Sequence, residues 1–158
     1  MSGRNNTAGP PADDEHQRFA RYLQDLAQVH QENEADLVSL ILRDSDATMA
    51  QSAVARHLDH RAARLLADAR FPGWAYTVAT VIAEWEFLTR RLREWTLLRS
   101  ITMGDPWTAE DLTTASDWFQ RKAAETLTSP AALTLLISAA RTRRVRAAAS
   151  RRMAQRHQ

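Results

Sequence analysis

Cysteine is absent, and lysine nearly so: of the 21 basic residues only Lys122 is not an arginine. Without a thiol there can be no disulfide, thiolate metal site or cysteine nucleophile, and a reducing cytosolic home is favoured. The four glycines and five prolines gather in the first eleven residues or at two or three interior breaks, which leaves long stretches free to be helical. No stretch approaches the ~18 uncharged apolar residues of a membrane span, and the N-terminus lacks the apolar core of a signal peptide. A soluble cytoplasmic protein with no membrane partner is therefore expected. Also missing are a glycine-rich phosphate loop, G-x-S-x-G and His-Glu-x-x-His. Each would bring a nucleophile, a phosphate or a metal to a defined place. Their absence points away from an enzyme, and no cofactor or metal is expected.

What is present is an ordinary globular composition, with 44% apolar and 25% charged residues in 158. The net charge of +2 conceals an asymmetry. Residues 1–40 carry seven acids against three arginines, whereas residues 126–158 carry seven arginines and no acid. The abundance of arginine and alanine also fits the codon bias of a GC-rich genome, which discounts arginine as a sign of nucleic-acid binding.

Residues 1–12 have no periodicity and read as a disordered tail ahead of a single helical domain, 13–158. The acidic start at Asp13 opens a helix marked by Phe19, Tyr22, Leu23, Leu26 and Val29, continuous or slightly kinked through the polar His30–Asp36 stretch to Leu42. Asp46 is the expected N-cap of a second helix over about 47–69, stopped by Phe71-Pro72-Gly73. A third helix, from Ala75 to Arg99, is the expected hub. Val78, Val81, Trp85, Leu88, Leu92 and Trp95 form one stripe along it, widened by Ile82 and Leu98. Met103-Gly104-Asp105-Pro106 stops it. Thr108 and Asp111 resemble a capping box for a fourth helix, and Ser129-Pro130 begins a fifth, apolar to Ala140, basic from Arg141 and fraying at its end. The fold class expected is all-α, a bundle of about five helices or a short stack of helical repeats.

Asp44-Ser45-Asp46-Ala47-Thr48-Met49, with Ala53 and Val54, is similar to the second helix of HEAT-type repeats, in which an acidic turn precedes an apolar residue and then an Ala pair. Val145-Arg146, Ala149 and Met153 resemble the same pattern without its acidic turn. Met49-Ala50 stands where such repeats prefer Val-Arg, and no repeat of 40 to 47 residues connects the two stretches. The resemblance implies a protein-binding helical surface.

Three groups of residues could carry function. Trp74 and Trp107 each adjoin a proline-containing break, where a ring either plugs the end of a core or serves a partner as a binding hot spot. His57 and His60 lie one helical turn apart, but no third ligand accompanies them and Arg56 and Arg61 flank them, so a half-buried His57 and a solvated His60 are expected. Arg141, Arg144, Arg151, Arg152 and Arg156 fall within a sector of roughly 140° of a continuous helix. Such a stripe can follow a phosphate backbone, meet an acidic protein, or dock on the acidic first helix (Asp13, Asp14, Glu15, Asp25, Glu32). No base-reading module or interleaved aromatic accompanies it. A non-enzymatic adaptor or regulator with a protein partner is the leading expectation, and nucleic-acid binding through the last helix is the alternative, ahead of a helical enzyme lacking any local motif.

Overall fold

The computed structural model describes residues 11–156, with side chains from residue 14 onward. The disordered tail expected at 1–12 lies outside the described residues except for Pro11 and Ala12, which are already helical. Among the described residues there are nine α-helices and no strand. They are α1 (Pro11–Gln28), α2 (Gln31–Ile41), α3 (Ala47–Leu65), α4 (Phe71–Ile82), α5 (Glu86–Met103), α6 (Ala109–Thr113), α7 (Asp117–Thr126), α8 (Pro130–Ala139) and α9 (Arg143–Gln155).

Four of the five expected helices are each split once, and in every case the break is made without glycine or proline. Between α1 and α2, His30 is extended (φ −74°, ψ 147°) and acts as an N-cap without a side-chain bond, while Glu32 and Glu34 in the first turn favour a fresh helix start. Between α4 and α5, the Ile82 carbonyl accepts from the Trp85 backbone N–H at 2.9 Å and from the Thr89 hydroxyl at 3.2 Å, replacing the ladder bond a continuous helix would make. The expected hub is therefore two helices, and Trp85 in the joint is only half-buried. Ser116 caps α7 by accepting from Phe119 N–H, and Thr142 caps α9 by accepting from Val145 N–H.

Three other local caps coincide with expectation. Asp46 accepts from Met49 N–H at 3.0 Å, Thr108 and Asp111 form a reciprocal capping box, and Ser129 caps α8 ahead of Pro130. At the end of α5, Gly104 has φ +77°. Its N–H reaches the Ile101 carbonyl (3.4 Å) and that of Asp105 reaches Ser100 (2.8 Å). This is the Schellman pattern, with a glycine in the left-handed position. One stop signal was misplaced: α3 ends at Leu65, and Phe71-Pro72-Gly73 opens α4 instead of closing α3. A proline in the first helical turn loses no ladder bond.

The described residues fall into two compact units, one of residues up to 61 with Tyr76–Thr89 and the other of Ala62–Ala75 with the described residues from 90 onward. In the first, Leu26 of α1, Val38 and Ile41 of α2, Val54 and Leu58 of α3, and Val78 and Ile82 of α4 are buried. In the second, α7, α8 and α9 pack on one another. Its buried residues include Leu98 of α5, Leu112 of α6, Phe119 of α7, Leu133 and Leu136 of α8, and Val145 and Ala149 of α9. Trp95, 2% exposed, meets Trp118 edge-on at 5.6 Å between centroids. Lys122 stands 5.7 Å from the Trp95 ring, and the Arg91 guanidinium 3.8 Å from that of Trp118. The lone lysine thus belongs to an aromatic–cation stack within the second unit.

Candidate functional site

In the first unit the acidic turn after α2 serves as a clamp. Tyr22 donates to Asp44 Oδ2 at 2.7 Å and Arg18 Nε to the same oxygen at 3.2 Å, while Oδ1 accepts from Asp46 N–H. The Tyr22 hydroxyl bond, then the Asp46 backbone bond, hold the Asp44 carboxyl below its ordinary range, and the same hydroxyl bond raises the Tyr22 phenol. This ties α1 to the start of α3. In the second unit, Asp68 is lowered to about 2, chiefly by the Arg70 side chain at 3.0–3.1 Å. Both carboxylates are structural anchors.

The histidine pair lies in the first unit in a setting that sequence spacing did not reveal. His57 is 7% exposed and its Nε2 lies 3.2 Å from Oε1 of Glu34, a residue itself only 3% exposed. Arg61, one turn beyond His57 on α3, donates Nε to the same oxygen at 2.9 Å. A carboxylate held by a guanidinium is an acceptor, so the His57 proton facing it belongs on Nε2 and Nδ1 is left as the ring's other valence. His57, Arg56 and the exposed His60 line a cavity of about 320 Å³ with Leu23, Leu26 and Ala27 of α1. The expected solvated His60 is found, whereas His57 is more deeply buried than half. Among the described residues no cluster of three or more His, Asp or Glu side chains could hold a metal.

A second cavity, of about 400 Å³, lies in the second unit beside α5, with Arg90, Arg93, Glu94 and Thr114 among its walls. Glu94, 7% exposed, accepts from the Ser116 hydroxyl (2.6 Å) and backbone N–H (2.7 Å). Its carboxylate is thus spent on holding the start of α7.

The tryptophans expected at a partner surface separate. Trp74 is 3% exposed and packs edge-on against Phe71 at 5.6 Å. Because Phe71 opens α4 rather than ending α3, Trp74 lies one turn into a helix and faces inward, so it is a packing residue. Trp107 is half-buried in the connection between α5 and α6.

The arginine stripe is also divided. Arg141 sits in the turn before α9, where it donates to Asp117 Oδ1 (2.8 Å) and to the carbonyls of Thr113 (3.1 Å) and Ala115. Arg152 donates to the carbonyls of Leu127 (3.1 Å) and Thr126 (3.3 Å) at the end of α7. Arg146 donates to the Ala140 carbonyl at the end of α8 (2.7 Å). Guanidinium groups here satisfy carbonyls that helix ends leave unpaired, at the negative end of the dipole. Arg141 and Arg152 are thereby removed from the expected ligand surface, and the acceptors found belong to α6, α7 and α8 and the turns after them, not to the acidic residues of α1. Arg144, Arg151 and Arg156 are exposed, and their side chains make no hydrogen bond or ion pair with a described residue. Arg143 is likewise exposed and shares with Arg144 and Arg151 an outward sector of about 100°.

Comparison with protein-family models, curated proteins and solved structures found no match.

Two features escaped sequence reasoning. Gln120, 1% exposed, donates Nε2 to the carbonyls of Leu112 (3.0 Å) and Thr113 (3.2 Å), and its Oε1 accepts from Arg141 N–H (3.1 Å). It joins α6, α7 and the α8–α9 turn, and no local signal distinguishes it from a surface glutamine. The other is Tyr76. It is 80% exposed on a stretch, Phe71–Ala83, that contains no charged residue. That run of thirteen uncharged residues is visible in the sequence, where only Val78, Val81 and Ile82 of it were placed on the core stripe. No helix among the described residues is long and apolar enough to cross a membrane.

Proposed function

We propose that the protein is a non-enzymatic, cytoplasmic helical interaction module that docks a partner protein on the outward face of α4. The observation that carries this reading is Tyr76, whose ring is 80% exposed. Around it on the same helix face lie Ala79, Thr80 and, at the helix end, Ala83, all exposed and uncharged. An exposed tyrosine flanked by small residues can be seated in a partner's groove at low desolvation cost, and Tyr is enriched where such anchors bind. Phe87, 51% exposed at the start of α5, adds a second aromatic ring in the same unit. The HEAT-type resemblance around Asp44–Val54 points to the same class of activity. Trp107 remains a possible contributor on its half-exposed ring, and Trp74 does not.

A photo-reactive phenylalanine analogue placed at Tyr76 should cross-link one defined protein in the native cell, and Thr80→Arg should abolish that adduct without changing helix content. A control analogue at the exposed Arg64 should give no such product. Equal products from both positions, or none from Tyr76, would remove the reading. An adduct of two identical chains would make the face a self-association surface and overturn the separate partner.

A second reading, nucleic-acid binding through α9, is favoured by the three outward arginines and reduced by the two that turn inward. With Arg143, Arg144 and Arg151 as the contacts, binding to generic duplex should fall with salt at a log–log slope of about −2.7, or about −0.9 per contact. Replacing these three by glutamine should flatten the slope. No binding at low salt in an anisotropy titration excludes this reading.

A further inference from the structure

We propose that the cavity between α1 and α3 binds a small molecule that joins one carboxylate to an apolar tail. The two walls differ in kind. Leu23, Leu26 and Ala27 of α1 offer hydrocarbon, and Arg56, His57 and His60 of α3 offer hydrogen-bond donors. The three α3 residues fall within about 100° of that helix, so their side chains leave it on one side. Among the described residues, no acidic side chain lines the cavity. The nearest buried carboxylate, Glu34, is occupied by Arg61 at 2.9 Å and by His57 at 3.2 Å. Arg56 and His60 are exposed, and their side chains make no hydrogen bond or ion pair with a described residue.

His57 supplies the independent sign of a ligand. It is more than nine-tenths buried, Glu34 fixes its ring through Nε2, and Nδ1 has no partner among the described residues. A buried imidazole oriented by a carboxylate through one nitrogen, in the wall of a cavity, keeps its other nitrogen for a guest. When His57 is protonated, Nδ1–H donates to a carboxylate oxygen while Nε2–H remains on Glu34. The Arg56 guanidinium can bind the same carboxylate through two parallel bonds, and His60 closes the polar side. The volume of about 320 Å³ lies at the lower end of the range for small-molecule sites, roughly 300–1,000 Å³. That size suits a short aliphatic or single-ring tail against Leu23 and Leu26.

The alternative guest for two histidines one turn apart is a transition metal. A guanidinium from Arg56 on the same wall repels a cation, and no third ligand stands there among the described residues.

The experiment is a titration of the full chain with octanoate below its micelle concentration, followed by ¹H–¹⁵N NMR. Octanol serves as the uncharged control, acetate as the tailless one, and zinc as the rival. Octanoate should give saturable shifts confined to residues around 23–27 and 56–60. Octanol and acetate should each bind at least about tenfold more weakly, because each lacks either the charge-assisted bonds or the apolar contact. Arg56→Gln/His60→Gln should weaken octanoate by about tenfold or more. Ala27→Glu, at an exposed helical position, should do the same by placing an anion at the cavity. Both variants change exposed residues, and unchanged helix content by circular dichroism shows that they fold. Octanol binding as tightly as octanoate, octanoate binding unaffected by either variant, no shifts at all, or shifts at His57 and His60 with zinc only would each overturn the proposal.

Discussion

Trp95→Ala should cost about 3–5 kcal/mol of stability, the loss expected when a large aromatic is cut out of a packed interior. The ring is 2% exposed, meets Trp118 edge-on at 5.6 Å and faces the Lys122 ammonium at 5.7 Å. Its removal therefore deletes apolar area, an aromatic pair and a cation–π contact together. Trp85→Ala should cost only about 1–2 kcal/mol, because its ring is half in water and leaves a smaller void. Trp95→Phe should recover part of the loss by keeping a ring against Trp118. Urea denaturation followed by far-UV circular dichroism measures all three. Equal, small losses for Trp95→Ala and Trp85→Ala would show that α5 is not the packing centre of the second unit.

The contrast between these two tryptophans shows how much of the fold was legible in the sequence. Both lie on one apolar stripe at helical spacing, and periodicity cannot tell a ring in mid-helix from one at a joint. Several starts and stops made by neighbours in sequence were readable: Asp46 with Met49, Thr108 with Asp111, Ser129 with Ala132, and Gly104 at φ +77°. The four extra breaks were not readable, and two of them show why. The start of α7 is held by Glu94, 22 residues upstream of Ser116, and the α8–α9 turn by Arg141 reaching back to Asp117 and Thr113. Such bonds form only after the chain has folded back, so propensity gives no warning of them. The arginine stripe failed for the same reason. It was drawn on a continuous helix, and once Thr142 starts a new helix Arg141 belongs to a turn.

The His57 cavity was half legible. The i, i+3 histidines and the flanking arginines were visible. Glu34 was not visible, because its partner lies 23 residues away and its own surroundings, QENEAD, read as the polar middle of a continuous helix. Asp44 was likewise read as a turn residue, whereas its bonds to Arg18 and Tyr22 also anchor α1.

Glu34→Ala is the test of that buried cluster, and it should cost about 3 kcal/mol. Removing one member of a buried ion pair leaves the others to be solvated in place, at a typical cost of about 3–5 kcal/mol. The figure expected here lies at the low end because the Arg61 side chain is 25% exposed and can recover water, whereas the His57 side chain, 6% exposed, cannot do so readily. Glu34→Gln should cost less, about 1.5–2 kcal/mol. It keeps an acceptor for Arg61 Nε and His57 Nε2 but gives up the charge that strengthens both bonds. The non-additivity should also be measurable. If the three groups act as one network, Glu34→Ala combined with Arg61→Ala will lose less than the two single losses added together. Replacing all three at once, as Glu34→Leu/His57→Leu/Arg61→Met, should restore much of the stability, since apolar groups of similar volume need no partner in that space. The same triple variant should lose the octanoate response, because His57 no longer presents a nitrogen to the cavity. A Glu34→Ala protein as stable as the parent in urea would mean that the carboxylate is not held as drawn. An additive Glu34/Arg61 cycle would mean that the 2.9 Å contact carries no coupling, and His57 would then have no fixed orientation toward a ligand.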